Sequence, residues 1–290
     1  METDALTRLS YAPKAIRKFT QGSPAPPPRP RTAITLSTIP QVSGQEAANE
    51  LPVLIVGDVH GDLERLFKAL RPYPDSDWRT IFLGDLVDRG PFGVGALRYA
   101  RDRPNSELLL GNHEVALLWA LRQPDIRTYW LGWGGQPHDL DELAKDQRLR
   151  DWLRERPLLM KLADGTLIQH TGTDRYFALV EDSGAEPVAE INRCGRMLLE
   201  NGREDLLWDL LSGPNILGQE FRLENWLRRM STTRVVHGHV PHRGREPLLY
   251  HGGRALNYDG GLSRYEHSAG RRGGGPAGAT VAPLPPLGHH

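Results

Sequence analysis

Short apolar runs and amphipathic stretches alternate through the middle of the chain. Pro52 to Val56, Thr80 to Leu83 and Glu107 to Leu110 are brief and rich in branched side chains, which predicts strands. Leu63 to Leu70, the segment opened by Pro91, and Glu114 to Leu121 carry apolar residues at helical spacing, which predicts helices. Proline suits a helix start, because its missing N–H has no partner there anyway. Further on, the pattern predicts a helix over Leu140 to Glu155, a strand over Thr166 to His170 and mostly helix over 172–230. A strand at Val235-Val236 and a hairpin over Leu248 to Tyr258, turning at Gly252-Gly253, follow. Short buried strands alternating with helices predict an α/β domain with a largely parallel sheet, and ligands collect at the carboxyl ends of such strands.

The two ends lack this periodicity. Residues 23–31 read Ser-Pro-Ala-Pro-Pro-Pro-Arg-Pro-Arg, a polyproline II composition, and only Ala15 to Phe19 suggests a short basic helix. Residues 1–50 are therefore expected to be a disordered Pro-rich arm. Residues 263–290, with Gly273-Gly274-Gly275 and Pro283-Leu284-Pro285-Pro286, are expected to be a Gly/Pro-rich tail unable to offset its own ordering entropy. That leaves a single domain over 51–262, which agrees with a length of 290 residues near the upper edge of one domain.

Charge narrows the partners. Lys+Arg and Asp+Glu both total 36, which argues against a surface-wide polycation and hence against a nucleic-acid binder. The balance hides an asymmetry. Residues 51–262 hold 27 basic and 31 acidic side chains, a net of −4, and the flanks return +4. The single cysteine, Cys194, excludes a disulfide framework or a Cys-rich zinc site and reads as an inert buried thiol. The longest apolar run, Val115 to Leu121, is too short to span a bilayer, and the N-terminus does not read as a secretory signal. No membrane association is expected, and a cytoplasmic location is.

Polar residues gather where the predicted strands end. Gly57-Asp58-Val59-His60-Gly61 follows the first strand, Gly84-Asp85-Leu86-Val87-Asp88-Arg89-Gly90 the second, and Gly111-Asn112-His113-Glu114 the third. His170 and His239 close later strands. Mixed nitrogen and oxygen donors without thiolate suit manganese, iron or zinc. Any one aspartate here would read as a turn former, but three such clusters in order read as one site.

These motifs resemble those of the metallophosphoesterase superfamily, and in particular its phosphoprotein phosphatase branch, whose GDxHG, GDxVDRG and GNHE patterns all appear intact. Asp58, Asp85 and Asn112 are each 27 residues apart, and the resemblance covers roughly Leu51 to Leu262. It implies a calcineurin-like four-layer αββα sandwich and two divalent metal ions, manganese first. Asp58 and His60 would hold the first ion, Asp85 would bridge, and Asn112, His170 and His239 would hold the second. A hydroxide between ions roughly 3.5–4 Å apart would attack phosphorus in line. Arg89, with Asn112, would bind the phosphate, and His113, oriented by Asp88, would protonate the leaving oxygen.

Other residues receive plainer readings. His237 competes with His239 for one ligand place or supports it from the strand end, while His242 and His251 read as surface residues. Asp259 reads as a turn residue, and Trp119, Trp130, Trp152 and Trp226 as core. The eukaryotic members of the branch carry a second phosphate-binding arginine. Asp209 stands where bacterial relatives often place it, so Arg175, Arg203 and Arg222 are the candidates. The implied activity is a phosphomonoesterase acting on a phosphorylated protein or a small phosphoester, foremost a bacterial-type serine/threonine protein phosphatase, which the Glu of GNHE favours. A diadenosine tetraphosphatase-like nucleotide hydrolase is the alternative, and a non-catalytic scaffold ranks last.

Overall fold

The computed structural model describes residues 51–180, 185–242, 244–265 and 275–287, so the expected N-terminal arm lies outside the described residues. Among the described residues, nine strands form two sheets. They are β1 (Val53–Val56), β2 (Arg79–Phe82), β3 (Ser106–Leu108), β4 (Leu159–Lys161), β5 (Thr166–Thr171), β6 (Arg234–Gly238), β7 (Leu248–Tyr250), β8 (Ala255–Asn257) and β9 (Val281–Pro283). The first sheet runs β3-β2-β1-β9 and the second β4-β5-β6-β8-β7. Within them, β1, β2 and β3 are mutually parallel, as are β5, β6 and β8.

Side-chain alternation explains the layering. Leu54, Val56, Phe82, Leu167 and Val235 point into a large core shared with the helices. Their neighbours Ile55, Ile81, Leu83, Ile168 and Val236 point into a second apolar layer, together with Leu109, Leu256 and Tyr258. Both faces of each central strand are thus buried, which is why these segments read as continuous apolar runs. Each fully buried aliphatic side chain contributes roughly 1.5–3 kcal/mol by leaving water. The result is the α/β sandwich that the motifs implied.

The helices are α1 (Leu63–Leu70), α2 (Gly93–Asp102), α3 (Asn112–Arg122), α4 (Arg127–Gly132), α5 (Pro137–Lys145), α6 (Gln147–Arg154), α7 (Pro187–Glu200), α8 (Glu204–Leu211) and α9 (Glu220–Met230). The helix expected over Leu140 to Glu155 is two helices. Asp146 separates them, and its side chain accepts the Leu149 N–H at 3.0 Å as the cap of α6. Helix α8 lies against α3, and α7 against β4. Among the described residues no helix is long and apolar enough to cross a membrane.

The expected C-terminal tail needs correcting. Its residues Val281–Pro283 form β9, antiparallel to β1. Leu284 N–H donates to Val53 O at 2.8 Å, Gly57 N–H to Thr280 O at 2.9 Å, and the Tyr258 hydroxyl to Pro283 O at 3.0 Å. Proline-rich composition argued against a strand, but β9 is an edge strand, where a residue without an N–H is tolerated. The domain therefore extends beyond residue 262. Trp130 and Trp226 are core as expected, each 1 % exposed, whereas Trp119 and Trp152 are only partly buried. Cys194 is buried.

Candidate metal centre

The three motif turns meet because their backbones are tied together. Val59 and His60 N–H both donate to Asp85 O, and Gly61 N–H to Leu86 O. Gly84 and Gly111 cross closely. Gly84 has φ +107°, and a Cβ there would stand 2.5 Å from Gly111 N, so no other residue fits. Glu114, at the start of α3, completes the tie. Its buried carboxylate accepts N–H groups from Asp85 (2.7 Å), Leu86 (2.7 Å), Val87 (3.3 Å) and Gly111 (2.9 Å). Burial, with the nearby Asp85 charge, raises its pKa to about 7. The sequence reading used Glu114 only as a family marker and missed this bracing role, whose signal is an acidic residue in the first helical turn after a strand-end glycine.

Asp85 is the hub. Its Oδ2 lies 3.9 Å from His60 Nε2 and 4.0 Å from His239 Nδ1, and its Oδ1 lies 3.5 Å from His170 Nε2. Asp58 Oδ2 is 3.7 Å from His60 Nε2, while Asp58 Oδ1 accepts the His239 N–H. Asn112 Oδ1 stands 3.0 Å from His170 Nε2. Two donor groups result, His60–Asp85–His113 and Asp85–His170–His239, with Asp85 common to both.

Tautomers test whether cations fit. His60 Nδ1 donates to Val87 O at 3.1 Å, and His170 Nδ1 to Leu83 O at 3.0 Å. Each donation leaves the Nε2 lone pair facing carboxylate or amide oxygens. A lone pair aimed at an anion repels it, and a divalent cation between them turns that repulsion into coordination. His239 Nδ1 is buried without a hydrogen-bond partner, as an open ligand position would be. The titration states agree. Burial pulls His60, His170 and His239 down, His239 to about 3, so all three are neutral, as coordination requires. Burial raises Asp85 as well, but the imidazoles of His170, His113, His60 and His239 outweigh it and hold the carboxyl below its ordinary range. Asp58 is raised by burial and by the neighbouring carboxylates of Asp259 and Asp85. These residues fit two divalent ions.

His113 differs from the other imidazoles. Its Nδ1 lies 2.7 Å from Asp88 Oδ2, and Asp88 Oδ1 accepts the Trp130 indole N–H at 3.0 Å. Burial lowers His113, but the charges of Asp85 and Asp88 outweigh it and raise the imidazole. Its Nε2 lies 3.4 Å from Arg89 Nη2. Arg89 has φ +64°, and its N–H donates to Gly134 O at 2.7 Å, so the Trp133-Gly134-Gly135 turn holds the arginine's backbone.

The remaining candidates separate cleanly. His237 is buried with both ring nitrogens engaged, Nδ1 donating to Gly238 O and Nε2 accepting from the Tyr250 hydroxyl. It belongs to neither donor group. Asp259 accepts the Gly261 N–H, as a turn residue does. His242 and His251 are both partly buried, and His251 Nε2 meets Gly218 O at 2.9 Å. Arg203 is held by Asp205 and Arg222 by Asp174, while Arg175 lies beside Gly213.

The family model described as calcineurin-like phosphoesterase matches residues 51–263. The symmetrical bis(5'-nucleosyl)-tetraphosphatase of Salmonella paratyphi C is 37% identical over 130 residues, covering 41% of this chain and 42% of that protein. That of Actinobacillus pleuropneumoniae serotype 5b is 35% identical over 147 residues, covering 47% and 50%. The chain thus spans about half the length of the curated relatives it matches. In solved structures, the cold-active protein-tyrosine phosphatase of a Shewanella species superposes with a TM-score of 0.56 at 21% identity, covering 81% of both chains. A protein serine/threonine phosphatase from Saccharomyces cerevisiae superposes at 0.51 with 15% identity, covering 82% of this chain and 80% of that one. These likenesses concern the fold.

Proposed function

The chain belongs to the calcineurin-like phosphoesterase family, and on that premise we propose that it is a metal-dependent phosphoester hydrolase acting on dinucleoside polyphosphates. The observation that carries the hydrolytic reading is Asp85, one carboxylate common to two donor groups and surrounded by the oriented imidazoles of His60, His170 and His239. In this reading Asp58, His60 and Asp85 hold one divalent ion, and Asp85, Asn112, His170 and His239 the other, the nitrogen and oxygen donor set suiting manganese, iron or zinc. When bound, the two ions supply Lewis acidity and an activated water.

The protein's own side chains do the rest. Arg89 pairs with non-bridging phosphate oxygens. His113 Nε2 faces the Arg89 guanidinium, from which it can accept, and would carry the transferable proton once a phosphate engages Arg89. Asp88 keeps the ring in that orientation through Nδ1, and Trp130 fixes Asp88 in turn.

Substrate class rests on the relatives. The curated proteins of at least 30% identity named above are bis(5'-nucleosyl)-tetraphosphatases, and this supports the nucleotide reading over a serine/threonine protein phosphatase. Glu114 had favoured the protein phosphatase, but its carboxylate is committed to main-chain N–H groups and is therefore a poor reporter of substrate. The test is a panel on manganese-reconstituted protein, dinucleoside tetraphosphates against phosphoserine and phosphothreonine peptides at matched concentration. We expect kcat/KM to favour the dinucleotide by at least about 10-fold. The reverse preference would restore the protein phosphatase, and no turnover with any divalent metal would leave a scaffold.

A further inference from the structure

We infer that Trp133 and Trp208 form the platform on which the base of the leaving nucleotide stacks. This deepens the nucleotide reading above and rests on it. The two indoles are stacked, with ring centroids 4.0 Å apart and 16° between planes. Trp208 in turn stands edge-on to the His113 imidazole at 6.1 Å and 77°. Trp133 directly precedes Gly134, whose backbone holds Arg89 and whose Cβ position lies 2.8 Å from Arg89 Cγ. Phosphate clamp, proton donor and indole pair therefore share one wall of the centre.

The position matters because of what His113 does. A group that protonates the leaving oxygen lies beside whatever that oxygen carries. For an alkyl leaving group, such as a serine side chain, two flat indoles there are wasted. For a nucleotide leaving group, they offer the surface on which any base can stack.

A packing role for the pair, joining α8 to the turn after α4, is the plain alternative, and two contrasts weigh against it. The tryptophans that serve the core, Trp130 and Trp226, are 1 % exposed, whereas Trp133 and Trp208 are only partly buried. The indole N–H groups of Trp130 and Trp226 are bonded to Asp88 and Gln169. Among the described residues, no protein acceptor takes the N–H of Trp133 or Trp208. Both indoles pack partly against the core, and Trp119 lies 6.5 Å from Trp133, so their exposed part and their N–H edges are what the pair offers to a ligand.

The test compares ADP with inorganic pyrophosphate, which carries the phosphates without the base. Binding of each to manganese-reconstituted protein is measured by titration calorimetry. Wild type is expected to prefer ADP by about 10-fold or more, in line with a stacked base. Trp208→Leu is expected to abolish the preference, Trp208→Phe to restore most of it, and Trp133→Leu to weaken it. Equal affinities in wild type overturn the inference without any variant, which covers the case in which Trp208→Leu does not fold. A preference that survives Trp208→Leu in folded protein overturns it too. The two readings fail separately. Loss of the preference in Trp208→Leu without dinucleotide hydrolysis keeps the platform and removes the proposed substrate. Hydrolysis with the preference intact in Trp208→Leu keeps the substrate and removes the platform.

Discussion

On the side of the first sheet, the candidate ligands Asp58, His60, Asp85 and Asn112 sit on turns locked by backbone bonds, by the Gly84–Gly111 crossing and by Glu114. On the side of the second, His170 and His239 sit at strand ends with far less support. His170 has one main-chain acceptor, and His239 Nδ1 has none. Strain follows the same division. His60, Asp85, Asp88 and Arg89 adopt positive φ on the first side, and among the candidate site residues only His239 does so on the second. Such backbone costs about 1–3 kcal/mol per residue and persists only where neighbours enforce it. One half of the centre is held rigid by the fold, and the other half is delivered to it.

The largest expected effect comes from the atom group the halves share. Asp85→Asn should deplete both ions and abolish turnover, measured by elemental analysis and by hydrolysis of an aryl phosphate. Retention of one full equivalent would show that the halves bind independently. His113→Asn should lower turnover by roughly 10²–10⁴-fold on substrates with poor leaving groups, with metal content near wild type. Because His113 also lies within reach of the first donor group, loss of metal in that variant would make it a ligand and not an acid.

A matched pair sharpens the rigidity contrast. Glu114→Ala leaves several buried N–H groups unpaired and should destabilise the protein by roughly 3–5 kcal/mol. His239→Ala should cost about 1 kcal/mol or less in the metal-free protein while still lowering metal content. Similar losses of Tm in chelator would refute the division. A control lies away from the centre. Asp139 Oδ1 accepts the Val94 N–H at the start of α2, and its Oδ2 is buried without a partner. Burial raises this carboxyl to about 6. Its raised pKa means that the folded state holds the proton more tightly. Its contribution is therefore fully present below about 3.8 and lost as pH rises through about 6, amounting to roughly 2–3 kcal/mol. Asp139→Asn should flatten that part of the stability profile, and an unchanged profile would locate the proton elsewhere.

The same division explains what was legible in the sequence. The rigid half is written contiguously, because a strand-end turn brings its ligand and its glycine within a few residues of each other. His170 and His239 read as strand-terminal histidines, and the resemblance already favoured His239 over His237; what the sequence does not show is that Tyr250 occupies the His237 ring. Glu114 and Trp130 act through bonds to the loop Asp85 to Asp88, far away in sequence, and no local pattern announces that. The break at Asp146 was hidden because apolar spacing continues across it, and β9 was hidden because its composition is that of a coil.

That last strand has a consequence for how the protein is made. On the ribosome, β1, β2 and β3 emerge early and can pair in parallel, yet the open edge of β1 has no neighbour until Val281–Pro283 arrives. Until then the nascent chain carries an exposed apolar edge, the kind of surface that recruits other strands. Closure of the first sheet thus waits for a segment far downstream of β1, and β9 acts as a latch on that edge.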